Sequence, residues 1–203
     1  MPWEHAVIGY IGYSVFVHVV YRESPTTGET LVVVFASVLP DLIDKPLAWQ
    51  FNVFSSGHAL GHSLFFAIPL SLALLVLAWL RGQRRYGEAF AIGYLLHLPA
   101  DVFPQYLLDG EFKFHRVVWP VVRDENGNGA GFREEFMDNF EGYARSIGEQ
   151  VASGNPDPYL ILVLGFWIFG VLLWIYDGMP VGREIYGAVR RAVRAVARGI
   201  WRN

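Results

Sequence analysis

Residues Ala89–Leu108 read AFAIGYLLHLPADVFPQYLL, and the reading of this stretch decides the fold class. A helix needs about 20 residues to cross the hydrocarbon of a bilayer, with ~17 as a lower limit, and the run meets that length. Its imidazole and its carboxylate, His97 and Asp101, are four apart and share one helical face. Both are costly beside hydrocarbon unless something compensates them, and a bound divalent metal is the strongest compensation available. Pro99, inside the pair, removes an interior hydrogen bond and frees backbone to line a polar cavity. The stretch reads as a membrane helix that carries part of a metal site.

Four further apolar segments flank it: Ala6–Tyr21, Thr30–Ile43, Ser63–Leu80 and Tyr159–Tyr176. The last two are long enough to span. The first two are short, so they either cross with help from polar ends or form a hairpin buried against the others. Phe132, Phe136, Phe140, Tyr143, Ile147 and Val151 repeat at helical spacing and predict an amphipathic helix inside the long segment 109–157. From Gly182 onward, Ile185, Val189, Val193, Val196 and Ile200 share one face opposite arginines, the pattern of a helix lying on an anionic leaflet. The expected fold is all-α: a polytopic transmembrane bundle of about five apolar helices, with an external amphipathic insertion and a basic amphipathic C-terminal helix. All 203 residues form one domain.

Composition agrees. A hydrophobic share of 53% beside only 17% charged residues is high for a soluble domain. With no cysteine, any metal must be held by nitrogen and oxygen donors. The start, MPWEH, has no basic n-region and no small-residue cleavage site after it, so no secretory signal is expected. Ten of the 16 basic residues fall at the ends that hold Arg22, Arg81, Arg84, Arg85 and the C-terminal tail. The positive-inside rule makes those ends cytoplasmic and the segment 109–157 external. His18 lies at the inner end of its segment and is set aside.

Under that topology His5, Asp41, Asp44, His58, His62, His97 and Asp101 all reach the outer face. Asp41 and Asp44 in LPDLID are three apart, and His58 and His62 in GHALGH are four apart. These spacings let both members of a pair reach one ion or two adjacent ions. Zinc or manganese suits the donor set, as one or two ions. Asp41 or Asp101 is the best bridging carboxylate, and His58 is a candidate general acid or base. A histidine at a helix end is ordinarily capped or interfacial, and Asp41 or Asp101 alone could be a helix cap. Asp44 could instead pair with Lys45. Seven such residues on one face are harder to explain that way. His115, Arg116 and Arg123 lie in the external segment, where they could clamp a phosphate or meet lipid headgroups.

The order of His5, LPDLID, GHALGHSL and GYLLHLPAD, followed by Trp119-Pro120, resembles the LexA-binding, inner-membrane-associated hydrolase family. That family is thought to be remotely related to zinc-dependent phospholipases C. The resemblance covers about residues 1–120. It implies metal-dependent hydrolysis at a membrane, with His5, Asp41, Asp44, His62, His97 and Asp101 carried over by motif position. Where the family usually shows Arg-Gly-x-Thr before the His-Ser, Ala59, Leu60 and Gly61 stand here, so a basic substrate contact is missing, and His58 could take over part of that role. Nothing in these residues bears on LexA binding, and protein partners are unknown.

A second metal pattern follows. Asp124, Asn126, Asn128 and Glu135 fit the calcium-loop spacing D-x-[DN]-x-[DN]-G-x5-E. The competing reading is a glycine-rich turn that caps the following helix without metal. No HExxH, GxSxG, P-loop or dinucleotide fingerprint is present, and the basic tail has no aromatic groove for nucleic acid. The functional expectation is a multi-pass membrane hydrolase acting on phosphoester bonds of lipids or lipid-like phosphates at the outer face. A divalent-metal carrier and a non-catalytic scaffold or regulator are the alternatives.

Overall fold

Helix starts and stops follow the capping chemistry of the sequence. The computed structural model describes residues 2–123 and 131–200, and its regular elements are helical throughout. Helix α1 (Pro2–Val20) opens on a proline, with Glu4 in its first turn. Helix α2 (Thr27–Trp49) is started by a capping box: Thr26 Oγ1 accepts from the Glu29 N–H, and the Glu29 carboxylate accepts from the Thr26 N–H. Ser63 caps α3 (Leu64–Leu80). Helix α4 (Arg84–Asp109) stops at Gly110, whose φ of 72° is left-handed. A 3-10 turn, Phe114–Val117, follows. Helix α5 (Phe132–Ser153) is the amphipathic element of the segment 109–157. Asp157 caps α6 (Pro158–Tyr176), and α7 (Gly182–Ile200) is the C-terminal helix.

Helix α4 is the centre of the bundle and packs against α1, α2 and α3, while α6 lies on α1 and touches α4 more lightly. Ala36, Ala67, Phe90, Tyr94, Leu98, Val102 and Val117 form one buried cluster; Tyr10, Tyr13, Val17, Val33 and Ala89 form another. Small residues let α1, α2 and α4 approach at one crossing. A Cβ on Gly93 would sit 2.5 Å from the Val33 carbonyl oxygen and 3.0 Å from Ser37 Oγ. This close crossing brings the polar ends of three helices together.

The helices alternate in direction. The N-termini of α1, α3 and α6 and the C-termini of α2 and α4 meet at one end, where α5 also lies. Trp3 of α1 packs edge-on against Phe140 and Tyr143 of α5. Buried Glu4 accepts hydrogen bonds from Tyr143 (2.6 Å) and Tyr159 (2.8 Å), tying α1 to α5 and α6. At the opposite end, buried Asp177 accepts from Tyr10 (2.5 Å) and Ser14 (2.7 Å) and pairs with His18 (2.6 Å). Helix α6 is therefore fastened to α1 at both ends.

Outer faces are strongly apolar. Phe65, Ile68, Leu72 and Val76 of α3 and Ile161, Leu164, Ile168 and Leu172 of α6 are all exposed. Contiguous apolar surface of this kind marks contact with a membrane or a partner. Among the described residues, α6 is the one helix both long and apolar enough to cross a membrane; α3, at 17 residues, is apolar but shorter. The first two segments are longer than their apolar runs suggested. Helix α1 has 19 residues and α2 has 23, and 23 residues rise about 35 Å. Buried polar residues such as Glu29, Asp41 and Asp44, rather than shortness, lower the hydropathy of α2. The exposed face of α7 carries Ile185, Val189 and Val193.

Candidate metal centre and adjoining cavity

Where the helices converge, the chain leaves α2, folds back through residues 50–62, and starts α3 at Ser63. Asp44, fully buried on α2, organises this loop. Its carboxylate accepts from the backbone N–H groups of Ala59 (2.7 Å), Gly61 (2.8 Å) and His62 (3.0 Å), and it meets His62 Nδ1 at 2.8 Å. Gly61 is required by close approach: a Cβ there would lie 2.9 Å from the Pro40 carbonyl oxygen and 3.3 Å from Asp44 Cγ. Tyr94 of α4 donates to the Gly61 carbonyl at 2.7 Å and holds the loop from the other side. The loop is also tied to the segment after α4, since Ser63 Oγ donates to the Trp119 carbonyl and Phe54 packs edge-on against Trp119.

With Nδ1 engaged by Asp44, His62 turns Nε2 inward. That atom lies 3.1 Å from Asp101 Oδ2, 3.4 Å from Asp41 Oδ1 and 3.0 Å from His97 Nε2. His97 is oriented in the same way: its Nδ1 faces the Ser37 carbonyl at 2.6 Å, leaving Nε2 3.3 Å from Asp101 Oδ2. His5 adds Nε2 at 3.2 Å from Asp101 Oδ1, and its ring stacks on His97 with centroids 3.9 Å apart. His58 stands further out, 3.8 Å from Asp101 Oδ2. Three ligand-type groups result: His5, His97 and Asp101; Asp41, His62 and His97; and His58, His62 and Asp101. They overlap through His62, His97 and Asp101, which is the arrangement expected of one composite site.

The donor set fits a divalent cation. Asp41 Oδ2 and Asp101 Oδ2 are buried without a hydrogen-bond partner, although Asp101 Oδ2 has three imidazole nitrogens within 3.8 Å. Such atoms point at a common centre rather than at one another, and leaving them uncompensated in the interior is expensive. Imidazole and carboxylate are ligands for zinc and manganese. The second nitrogens of His62 and His97 are fixed by a carboxylate and a backbone carbonyl, the usual outer support of metal-binding histidines. Burial opposes charge on His62, but hydrogen bonds with Asp101, Asp41 and Asp44 overcome it and hold the imidazole well above its usual value. Burial drives His58 the other way, down to about 3, and the neighbouring His62 adds to the effect.

Asp44 falls outside these three groups. The partners of its carboxylate lie in the loop and on His62 Nδ1. Lys45 pairs with Asp41 (2.7 Å), not with Asp44. His18 is remote from the site, on Asp177.

A cavity of about 330 Å³ opens beside the cluster, between α1, α4 and α6. Asp101, His5, Glu4, Tyr159 and Arg116 supply its polar side; Ile8, Leu96, Leu162, Val163 and Phe166 supply apolar walls. Arg116 comes from the 3-10 turn, which is anchored by Val117 in the main core cluster. His115 and Arg123, grouped with Arg116 on sequence grounds, do not line the cavity, and Arg123 is exposed. The α6 wall and the Glu4–Tyr143–Tyr159 tie were not anticipated, and no local signal announces them. Asp124, Asn126 and Asn128 lie outside the described residues; Glu135 sits in the first turn of α5.

Fold and site together define a helical membrane-associated protein with a buried His/Asp centre. A family model described as YdjM inner membrane protein matches residues 1–132, and the chain belongs to that family. The matched region holds every member of the cluster. No curated protein and no solved structure matches the chain.

Proposed function

We propose that the chain is a membrane-embedded, metal-dependent hydrolase acting on phosphoester bonds of lipids or lipid-like phosphates. The observation that carries this reading is Asp101: one largely buried carboxylate, in reach of four imidazoles from three parts of the chain, in the lining of an amphipathic cavity. His5, Asp41, His62, His97 and Asp101 would hold one or two divalent ions, zinc or manganese by donor type. Such an ion supplies Lewis acidity and offsets charge that develops on a phosphoryl group.

The side chains have separable tasks. Asp44 and the Ser37 carbonyl fix the ring orientation of His62 and His97. Lys45 holds Asp41 in place and tempers the negative charge of the site. His58, at the rim and in reach of Asp101, is placed to move a proton at Nε2. Apolar side chains of α1, α4 and α6 line the cavity together with Asp101 and would limit water beside it.

The exposed apolar faces of α3 and α6 favour a multi-pass arrangement with about five crossings. Arginine placement favours the metal end outside, with α7 and the C-terminus cytoplasmic. A calcium site at Asp124, Asn126, Asn128 and Glu135 remains part of this reading on sequence grounds. The carrier alternative is less well supported, because the ligands cluster at one end of the bundle instead of along a route through it.

Activity tests the proposal. The full chain in detergent or nanodiscs is expected to release phosphate or a phosphorylated headgroup from lipid phosphoesters, and Asp41→Asn and His97→Ala to abolish this while remaining inserted. Full activity in both variants would overturn it. A metal-replete chain inactive on every lipid phosphoester tested would favour the carrier.

A further inference from the structure

We infer that Arg116 and the cleft between α4 and α6 form a binding subsite for an anionic amphiphile, with the anion on the guanidinium and its hydrocarbon chain between the two helices. The inference rests on the hydrolase reading for what happens to the bound molecule, but on Arg116 and the cavity alone for its being held.

Arg116 lines the cavity, and its Nε is buried without a hydrogen-bond partner. Among the described residues its side chain makes no hydrogen bond and no ion pair, although Asp101 and Glu4 line the same cavity. Every other half-buried or buried side chain that carries a charge near the site has a partner: Lys45 has Asp41, Glu4 has two tyrosines, Asp44 has a loop. A guanidinium held beside apolar walls by a turn anchored in the core is costly unless an anion joins it, and its planar fork suits phosphate.

The remaining walls select what is attached to the anion. Leu96 and Phe103 of α4, Leu162, Val163 and Phe166 of α6 and Ile8 of α1 line the cavity. Phe103 is also exposed, so part of the apolar lining is reachable from outside the bundle. A hydrocarbon chain attached to the anion would lie against these apolar walls. An inorganic anion would use Arg116 and leave these walls unused.

Titration calorimetry on the full-length, detergent-solubilised protein tests this with octyl phosphate, inorganic phosphate and octanol as probes, each with and without a chelator. Octyl phosphate is expected to bind roughly tenfold or more tighter than either fragment. Arg116→Gln should remove its advantage over octanol, Arg116→Lys should restore part of it, and Arg123→Gln should change nothing. Val163→Phe should remove its advantage over inorganic phosphate while helicity and metal content stay those of the parent. Unchanged binding in Arg116→Gln overturns the subsite. Equal binding of inorganic and octyl phosphate overturns the hydrocarbon half and identifies a free-phosphate site. Arg116-dependent binding in a protein that carries no metal leaves the subsite standing and defeats the hydrolase reading instead.

Discussion

Asp44 and His62 meet at 2.8 Å through a carboxylate oxygen and Nδ1, and this contact decides which imidazole nitrogen faces the site. The same carboxylate gathers three backbone N–H groups of the loop that carries His62. One buried side chain thus links the shape of the loop to the orientation of the His62 ring. Asp44→Asn exchanges one acceptor oxygen for a donor that faces N–H groups. The expected result is a fall in metal affinity of about 10–100-fold, the range for lost outer support of a ligand. Competition with a chromogenic chelator measures it. An unchanged affinity would mean that the loop holds His62 without Asp44.

Gly61→Ala places a methyl against the Pro40 carbonyl and Asp44, neither of which can retreat without moving a helix. A loss of about 1–3 kcal/mol is expected. Gly148→Ala provides the contrast: nothing lies within 4 Å of the added methyl on exposed α5, and the helix should gain about 0.5–1 kcal/mol. Thermal unfolding in one detergent should separate the two in opposite directions. A neutral Gly61→Ala would show that the loop can back away from α2.

The pairings at the two ends of α6 should be separable. Asp177→Asn weakens the hold of Tyr10, Ser14 and His18 at the end remote from the His/Asp cluster. A cost of about 1.5–3 kcal/mol per charged hydrogen bond is the scale involved, and metal content should stay that of the parent. Loss of metal in this variant would show that α6 transmits strain to the site.

The placement of the arginines predicts the sidedness. Cysteine introduced at Ala144, exposed on α5, should react with an impermeant thiol reagent in intact cells, and cysteine at Gln83, exposed between α3 and α4, should not. The reverse labelling would place the metal end in the cytoplasm.

Much of the fold was legible because periodicity and capping are local. The helix over 132–151 and the tail helix from Gly182 appear where their apolar spacing puts them, and the i, i+4 pairs did bring His97 and Asp101 together. The role of Asp44 was not legible: it depends on a loop folding back so that residues 15 to 18 positions away reach its oxygens. Nor was the cavity, whose α6 wall is joined to Glu4 by a contact spanning 155 residues. Helices α1 and α2 run beyond their apolar segments, because polar residues that serve the interior, such as Glu4 and Asp44, lie within the helices but outside the apolar runs.

Metal content of the purified full-length protein is the most direct test of the central claim. Elemental analysis after purification without chelators should find one or two divalent ions per chain, reduced in Asp101→Asn and His97→Ala and unchanged in His18→Ala. A parent protein free of divalent metal, which takes none up on dialysis against zinc or manganese and unfolds at the same temperature with or without them, would contradict the account.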